Sequence, residues 1–155
     1  SDGHFAASTS TVKFTGTGAQ IFYYRISPFP TFYNIENANV GGSVQFSGSD
    51  LTVNKFTAGP GSTTRLNSVR TLNVSSLDIQ GVAGSLAFVR CNTTNTDPTR
   101  INLTGTQTIA YAKFQLVKAT NNSLIAVDNC VDNGGNERVI FSSLRVWDGG
   151  GSDNN

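Results

Sequence analysis

The segment Asp128-Asn129-Cys130-Val131-Asp132-Asn133-Gly134-Gly135-Asn136-Glu137 holds the densest set of oxygen donors in the chain. Asp128, Asp132, Asn133, Asn136 and Glu137 are ligand types that a hard cation takes, so the segment is a candidate calcium loop, and calcium is the one cofactor the sequence suggests. Its spacing departs from an EF-hand, because Cys130 stands at the third ligand position. The same Asn and Gly residues also suit a plain turn, where they accept positive φ.

A second concentration is aromatic. Phe22, Tyr23, Tyr24, Phe29, Phe32 and Tyr33 place six of fifteen aromatic side chains within twelve residues. Such rings stack on sugars, with Arg25 and Asn34 as hydrogen-bonding neighbours, and Trp147 offers a further ring. Residues 21 to 26 are apolar on both faces, so the competing use is core packing or burial against another copy.

The two cysteines, Cys91 and Cys130, each follow an apolar stretch and are expected to pair across two sheets. Such a bridge contributes about 3 to 4 kcal/mol in the chain-entropy view. Asn73, Asn92, Asn102 and Asn121 begin Asn-x-Ser/Thr triplets and are candidate glycosylation acceptors. With 16 Asn and 34 Ser plus Thr, chance alone produces several such triplets.

No catalytic residues emerge. His4 is the only histidine, and neither G-x-S-x-G nor H-E-x-x-H occurs. Asp78 lies between Leu77 and Ile79, so a strand would turn its carboxylate away from their face and toward solvent. The expectation is a protein that is not an enzyme.

The elements that must position these groups read as strands. In Thr11-Val12-Lys13-Phe14-Thr15 and Arg70-Thr71-Leu72-Asn73-Val74 the apolar residues alternate, which buries one face of an extended segment. Gly41-Gly42, Gly48-Ser49-Asp50 and Gly59-Pro60-Gly61 separate such segments as turns. About ten short strands at this spacing predict an all-β, two-sheet antiparallel β-sandwich, jelly-roll or immunoglobulin-like in order. No fixed internal period is visible, which argues against a propeller or β-solenoid. Residues 1–10 read as an extended N-terminal arm, 11–147 as the sandwich domain and 148–155 as a Gly/Asn-rich tail.

Composition narrows the partners. Eleven basic residues against ten acidic give a net charge of +1, with no block of like charge to attract nucleic acid or an anionic membrane. No apolar run is long enough to span a bilayer. Charged residues are only 14% of the chain, whereas Ser, Thr and Asn fill 50 of 155 positions. A surface of neutral hydroxyls and amides suits a secreted, cell-surface protein or one packed against copies of itself.

Two functions follow as expectations. The first is an extracellular structural or adhesive subunit that self-assembles through strand edges and terminal arms into a filament, sheath or capsid-like shell. It is similar in principle to donor-strand pili. The alternative is a carbohydrate-binding or lectin-like module that presents the aromatic cluster to a glycan.

Overall fold

A computed structural model describes residues 9–24, 31–93 and 97–141. Fourteen strands and no helix are present among them. One sheet runs β1 (Thr11–Gly16), β3 (Thr31–Asn39), β5 (Leu51–Ala58), β7 (Thr71–Gln80), β9 (Thr99–Ala110) and β11 (Val117–Ala119), in that spatial order. A second sheet runs β2 (Gln20–Tyr24), β4 (Ser43–Gly48), β6 (Thr63–Leu66), β8 (Ala87–Cys91), β10 (Ala112–Gln115) and β13 (Val131–Asp132). β12 (Leu124–Ala126) and β14 (Val139–Phe141) form a short third pair.

Every named strand pair is parallel. Through β11 the chain lays one strand in the first sheet and the next in the second, then returns beside its own previous turn. This is a parallel β-solenoid, and it overturns the expected antiparallel sandwich together with its jelly-roll and immunoglobulin-like orders. The physical reason is simple. Alternation reports which face of a strand is buried, but hairpin and coil corner draw on the same Gly, Asn and Asp residues.

The repeat was hidden by uneven corners. Leu51 pairs with Leu72, 21 residues on, but Leu72 pairs with Ile101, 29 residues on. In the second sheet Val44 meets Thr64 after 20 residues and Thr64 meets Val89 after 25. Two adjacent turns nevertheless share a pattern: Leu51-x-Val53-x-x-Phe56-x-Ala58 and Leu72-x-Val74-x-x-Leu77-x-Ile79, all buried. The two-residue interruption, Asn54-Lys55 and Ser75-Ser76, turns both side chains away from the core, and the β7–β9 register shifts between Val74 and Ser76. At the same level of the next turn stands Gly105, where an added Cβ would lie 2.4 Å from the Ser75 carbonyl oxygen.

The interior fills with like residues stacked turn upon turn. Phe22 pairs with Phe46 across the ladder, and Phe46 packs edge-on against Phe14, Phe22 and Phe56 at centroid distances of 5.6, 5.9 and 5.7 Å. Two buried asparagines tie the sheets at a corner. Asn37 donates to Thr64 Oγ1 and the Thr63 carbonyl, and Asn39 donates to the Gly18 carbonyl and Gln20 Oε1. The predicted arm falls mostly on residues 1–8 and the predicted tail on 148–155, both outside the described residues.

Candidate functional site

The outer face of the second sheet carries the chemistry. Ladder register aligns Ile21, Gln45, Arg65, Arg90 and Gln115 in one column along the solenoid axis. A neighbouring column holds Ser43, Thr63, Phe88 and Lys113. Strand alternation puts these side chains outside, because Val44, Phe46, Thr64, Leu66, Val89 and Phe114 between them point inward and are buried.

Within β2, β4, β6, β8 and β10 there is no acidic residue. Lys113 Nζ sits 4.8 Å from the centre of the Phe88 ring, and the Arg90 guanidinium lies 5.7 Å from the same ring. Arg90 Nε donates to the Cys91 carbonyl at 3.1 Å. Arg65 Nε is buried and has no hydrogen-bond partner among the described residues. Among the described residues none of these three cations belongs to a salt bridge; the ion pairs there are Lys13–Glu36, Lys55–Asp78 and Lys118–Glu137, each with its lysine on the first sheet.

At the corner of this face lies a half-open cavity of about 280 Å³. It is lined by Tyr23 and Tyr24 of β2, Ser47, Gly48 and Ser49, and Asn67 and Arg70. Tyr24 is buried, and its hydroxyl donates to the Ser49 carbonyl at 2.9 Å. Burial first, then the Asp50 carboxylate, pushes this phenol up to about 12, against a smaller opposing pull from Arg70. Tyr23 is 65% exposed. Val69, just before Arg70, holds φ at 52°, a strained setting for a β-branched residue. Gly48 is needed here, since a Cβ would lie 2.2 Å from the Tyr24 carbonyl oxygen.

The sequence-predicted groups do not assemble as one site. Phe22, Tyr24 and Phe32 pack in or against the core, Tyr23 projects from the second sheet and Tyr33 is exposed on the first, while Phe29, His4 and Trp147 lie outside the described residues. The predicted aromatic platform is thus split between the interior and two faces.

Cys91 and Cys130 are free thiols, contrary to the expected bridge. Cys91 closes β8, whereas Cys130 Sγ accepts from the Ala112 amide, and Ala112 pairs with Ala87 at the other end of β8. Four residues of strand separate those levels by about 13 Å at roughly 3.3 Å per residue, beyond the reach of a disulfide. Burial pushes the Cys130 thiol up.

The oxygen-rich segment spends its polar groups on the turn itself and on the neighbouring strands β10 and β11. Asp132 Oδ1 accepts from the Gly134 amide and from Asn136, Asn136 also bonds the Val117 amide and the Phe114 carbonyl, and Glu137 pairs with Lys118. Asp128 accepts from its neighbour Asn129. No three His, Cys, Asp or Glu side chains gather as a metal site among the described residues. Among the sequon residues, Asn73 and Asn102 bond each other across adjacent turns at 2.9 Å, Asn92 bonds Asn67, and Asn121 bonds the Leu103 carbonyl.

Sequence reasoning missed the column of Gln45, Arg65, Arg90 and Gln115, because those residues are 20 to 25 positions apart and become neighbours only through coil register. Comparison with protein-family models, with curated proteins and with solved structures finds no match to this chain. Among the described residues no helix is long and apolar enough to cross a membrane.

Proposed function

We propose that the chain is an extracellular structural subunit, a rigid solenoid that associates end to end with copies of itself through open strand edges. The reading rests on one observation. β1 pairs only with β3, and β2 only with β4, so among the described residues the first turn leaves a parallel ladder edge in both sheets. The Asn34 amide bonds the Ser10 carbonyl and the Val40 amide bonds the Gly16 carbonyl, which directs the even-numbered residues of β1 toward β3. Thr11, Lys13 and Thr15 therefore point their main-chain groups to the free side. Val12, Phe14 and Phe22 are only partly buried at this end, so a second ladder laid on it gains apolar contact as well as hydrogen bonds.

Head-to-tail addition is heterologous, and stacking copies along the solenoid axis gives filaments rather than rings when the rotation between copies does not close. A surface of hydroxyls and amides, with 14% charged residues, supports an exterior location and opposes mutual repulsion of copies. No catalytic step belongs to this reading.

Light scattering after size exclusion, with negative-stain microscopy, tests it over a concentration series. Mass should grow with concentration, and Thr15→Pro should hold the protein monomeric with an unchanged β spectrum, because it removes an outward donor and no internal one. A monomer at every concentration overturns the reading.

A further inference from the structure

We infer that the outer face of the second sheet binds an acidic polysaccharide, laid along the solenoid axis with its carboxylates on Arg65 and Arg90. This inference stands apart from end-to-end association, since it concerns a face rather than an edge and holds for a monomer.

Three observations carry it. Arg65 and Arg90 are direct ladder partners, so two like-charged side chains leave strands that lie about 4.8 Å apart. Like charges set directly opposite are unfavourable, and here no acid on the five strands and no ion pair offsets them. Arg65 also keeps a buried Nε without a partner, so the fold itself leaves this guanidinium incompletely hydrogen-bonded.

The shape of the array selects the ligand class. Gln45 and Gln115 flank the two arginines in the same column, giving amide, guanidinium, guanidinium, amide at one group per turn. That spacing is comparable to the length of one sugar ring in an extended chain. Guanidinium groups take carboxylates in a forked pair of hydrogen bonds, and amides serve the ring hydroxyls. Nucleic acid is the poorer fit. It wants a row of free aromatic faces and a strong field, whereas Phe88 already lies against Lys113 and Arg90, Tyr23 is a single exposed ring, and the whole chain carries only +1.

The test titrates the intact chain with a ten-residue oligogalacturonate in low salt by calorimetry. A neutral oligogalactose of the same length, single-stranded RNA and phosphatidylserine vesicles are run beside it. Two double variants are compared, Arg65→Gln with Arg90→Gln on the second sheet and Lys13→Gln with Lys55→Gln on the first. Both remove two positive charges, unpaired arginines on one face and lysines paired with Glu36 and Asp78 on the other. The expected result is binding of the oligogalacturonate and not the neutral chain, a loss of at least ten-fold in the arginine variant, and a change within two-fold in the lysine variant. Lys113→Gln, a milder change at the neighbouring column, should weaken binding about three-fold and guards against misfolding of the double variant. Equal losses in the two double variants, no binding at all, or tighter binding of RNA or vesicles at the same arginines overturns the inference.

Discussion

The two outer faces of the solenoid are built on the same ladder yet differ in how far they pair their charges. On the first sheet, Lys13 pairs with Glu36 at 2.8 Å, Lys55 with Asp78 at 3.0 Å and Lys118 with Glu137, while Arg100 donates to the Val69 carbonyl, and the remaining outward positions are largely Thr, Asn and Ser. On the second sheet, Arg65, Arg90 and Lys113 form no ion pair among the described residues, and the sheet's one acid, Asp132 on the edge strand β13, is bonded to Gly134 and Asn136. Neighbouring turns bring both sets of side chains equally close, so coil geometry alone does not explain the contrast. It lies in which residue types occupy the outward positions. A face that neutralises itself is suited to stability and solubility, and one that does not is suited to a charged partner.

The comparison can be broken most forcefully from inside. Phe46 is fully buried at the centre of the aromatic stack that both sheets share, so Phe46→Ala should cost about 3 to 5 kcal/mol and disturb the two faces alike. Urea unfolding measures the loss. A cost under about 1 kcal/mol would mean that the stack does not join the sheets as described.

Asn37 is the next test, because it crosses from β3 to the Thr64 hydroxyl and Thr63 carbonyl of β6. Asn37→Leu strands those partners in the interior and should cost about 2 to 3 kcal/mol by thermal or urea unfolding. Asn34→Leu, at an outward position on the same strand, should cost less than about 1 kcal/mol.

Alkali sharpens the picture at the corner. The unfolded Tyr24 phenol ionises near 10, whereas the folded one holds its proton to about 12. The raised value means that its contribution is complete below the unfolded pKa and is lost as pH climbs from 10 to about 12. The loss should be on the order of 2 kcal/mol, and Tyr24→Phe should flatten that part of the stability curve. An unchanged curve in the variant would remove Tyr24 as the source.

The smallest effects separate the faces themselves. Breaking the first-sheet pair with Lys55→Ala should cost about 0.2 to 1 kcal/mol. Arg65→Leu should be neutral or stabilising by up to about 1 kcal/mol, because it removes a buried donor that has no partner. Differential unfolding of the two variants reads the sign. A marked loss in Arg65→Leu would show that the guanidinium is held for structure and not for a ligand.

Much of the fold was legible residue by residue. Val12 and Phe14, Leu51 and Val53, and Leu72 and Val74 are the apolar halves of alternating strands, and all point inward. The placement of Asp78 toward solvent was legible too, although its partner Lys55 was not. Strand direction was not legible, since Gly48-Ser49-Asp50 turns a corner between β4 and β5 where a hairpin would use the same residues. The recurrence of Leu-x-Val-x-x-[Phe/Leu] at 51 and 72 was the available clue to a coil. It was obscured by the eight extra residues in the turn that follows.

The candidate site shows the same division. Alternation was enough to place Arg65, Arg90, Gln45 and Gln115 on solvent faces, because a period of two is a local property of an extended backbone. Nothing local could align them. Their column exists because parallel coils return each strand beside the one a full turn earlier, and the length of every corner sets the register. Composition and pattern thus determined that the chain is β and which side chains face water. The tertiary structure alone decided which of those side chains meet, because the contacts joining them span 20 or more residues and depend on loop closure that carries no periodic mark.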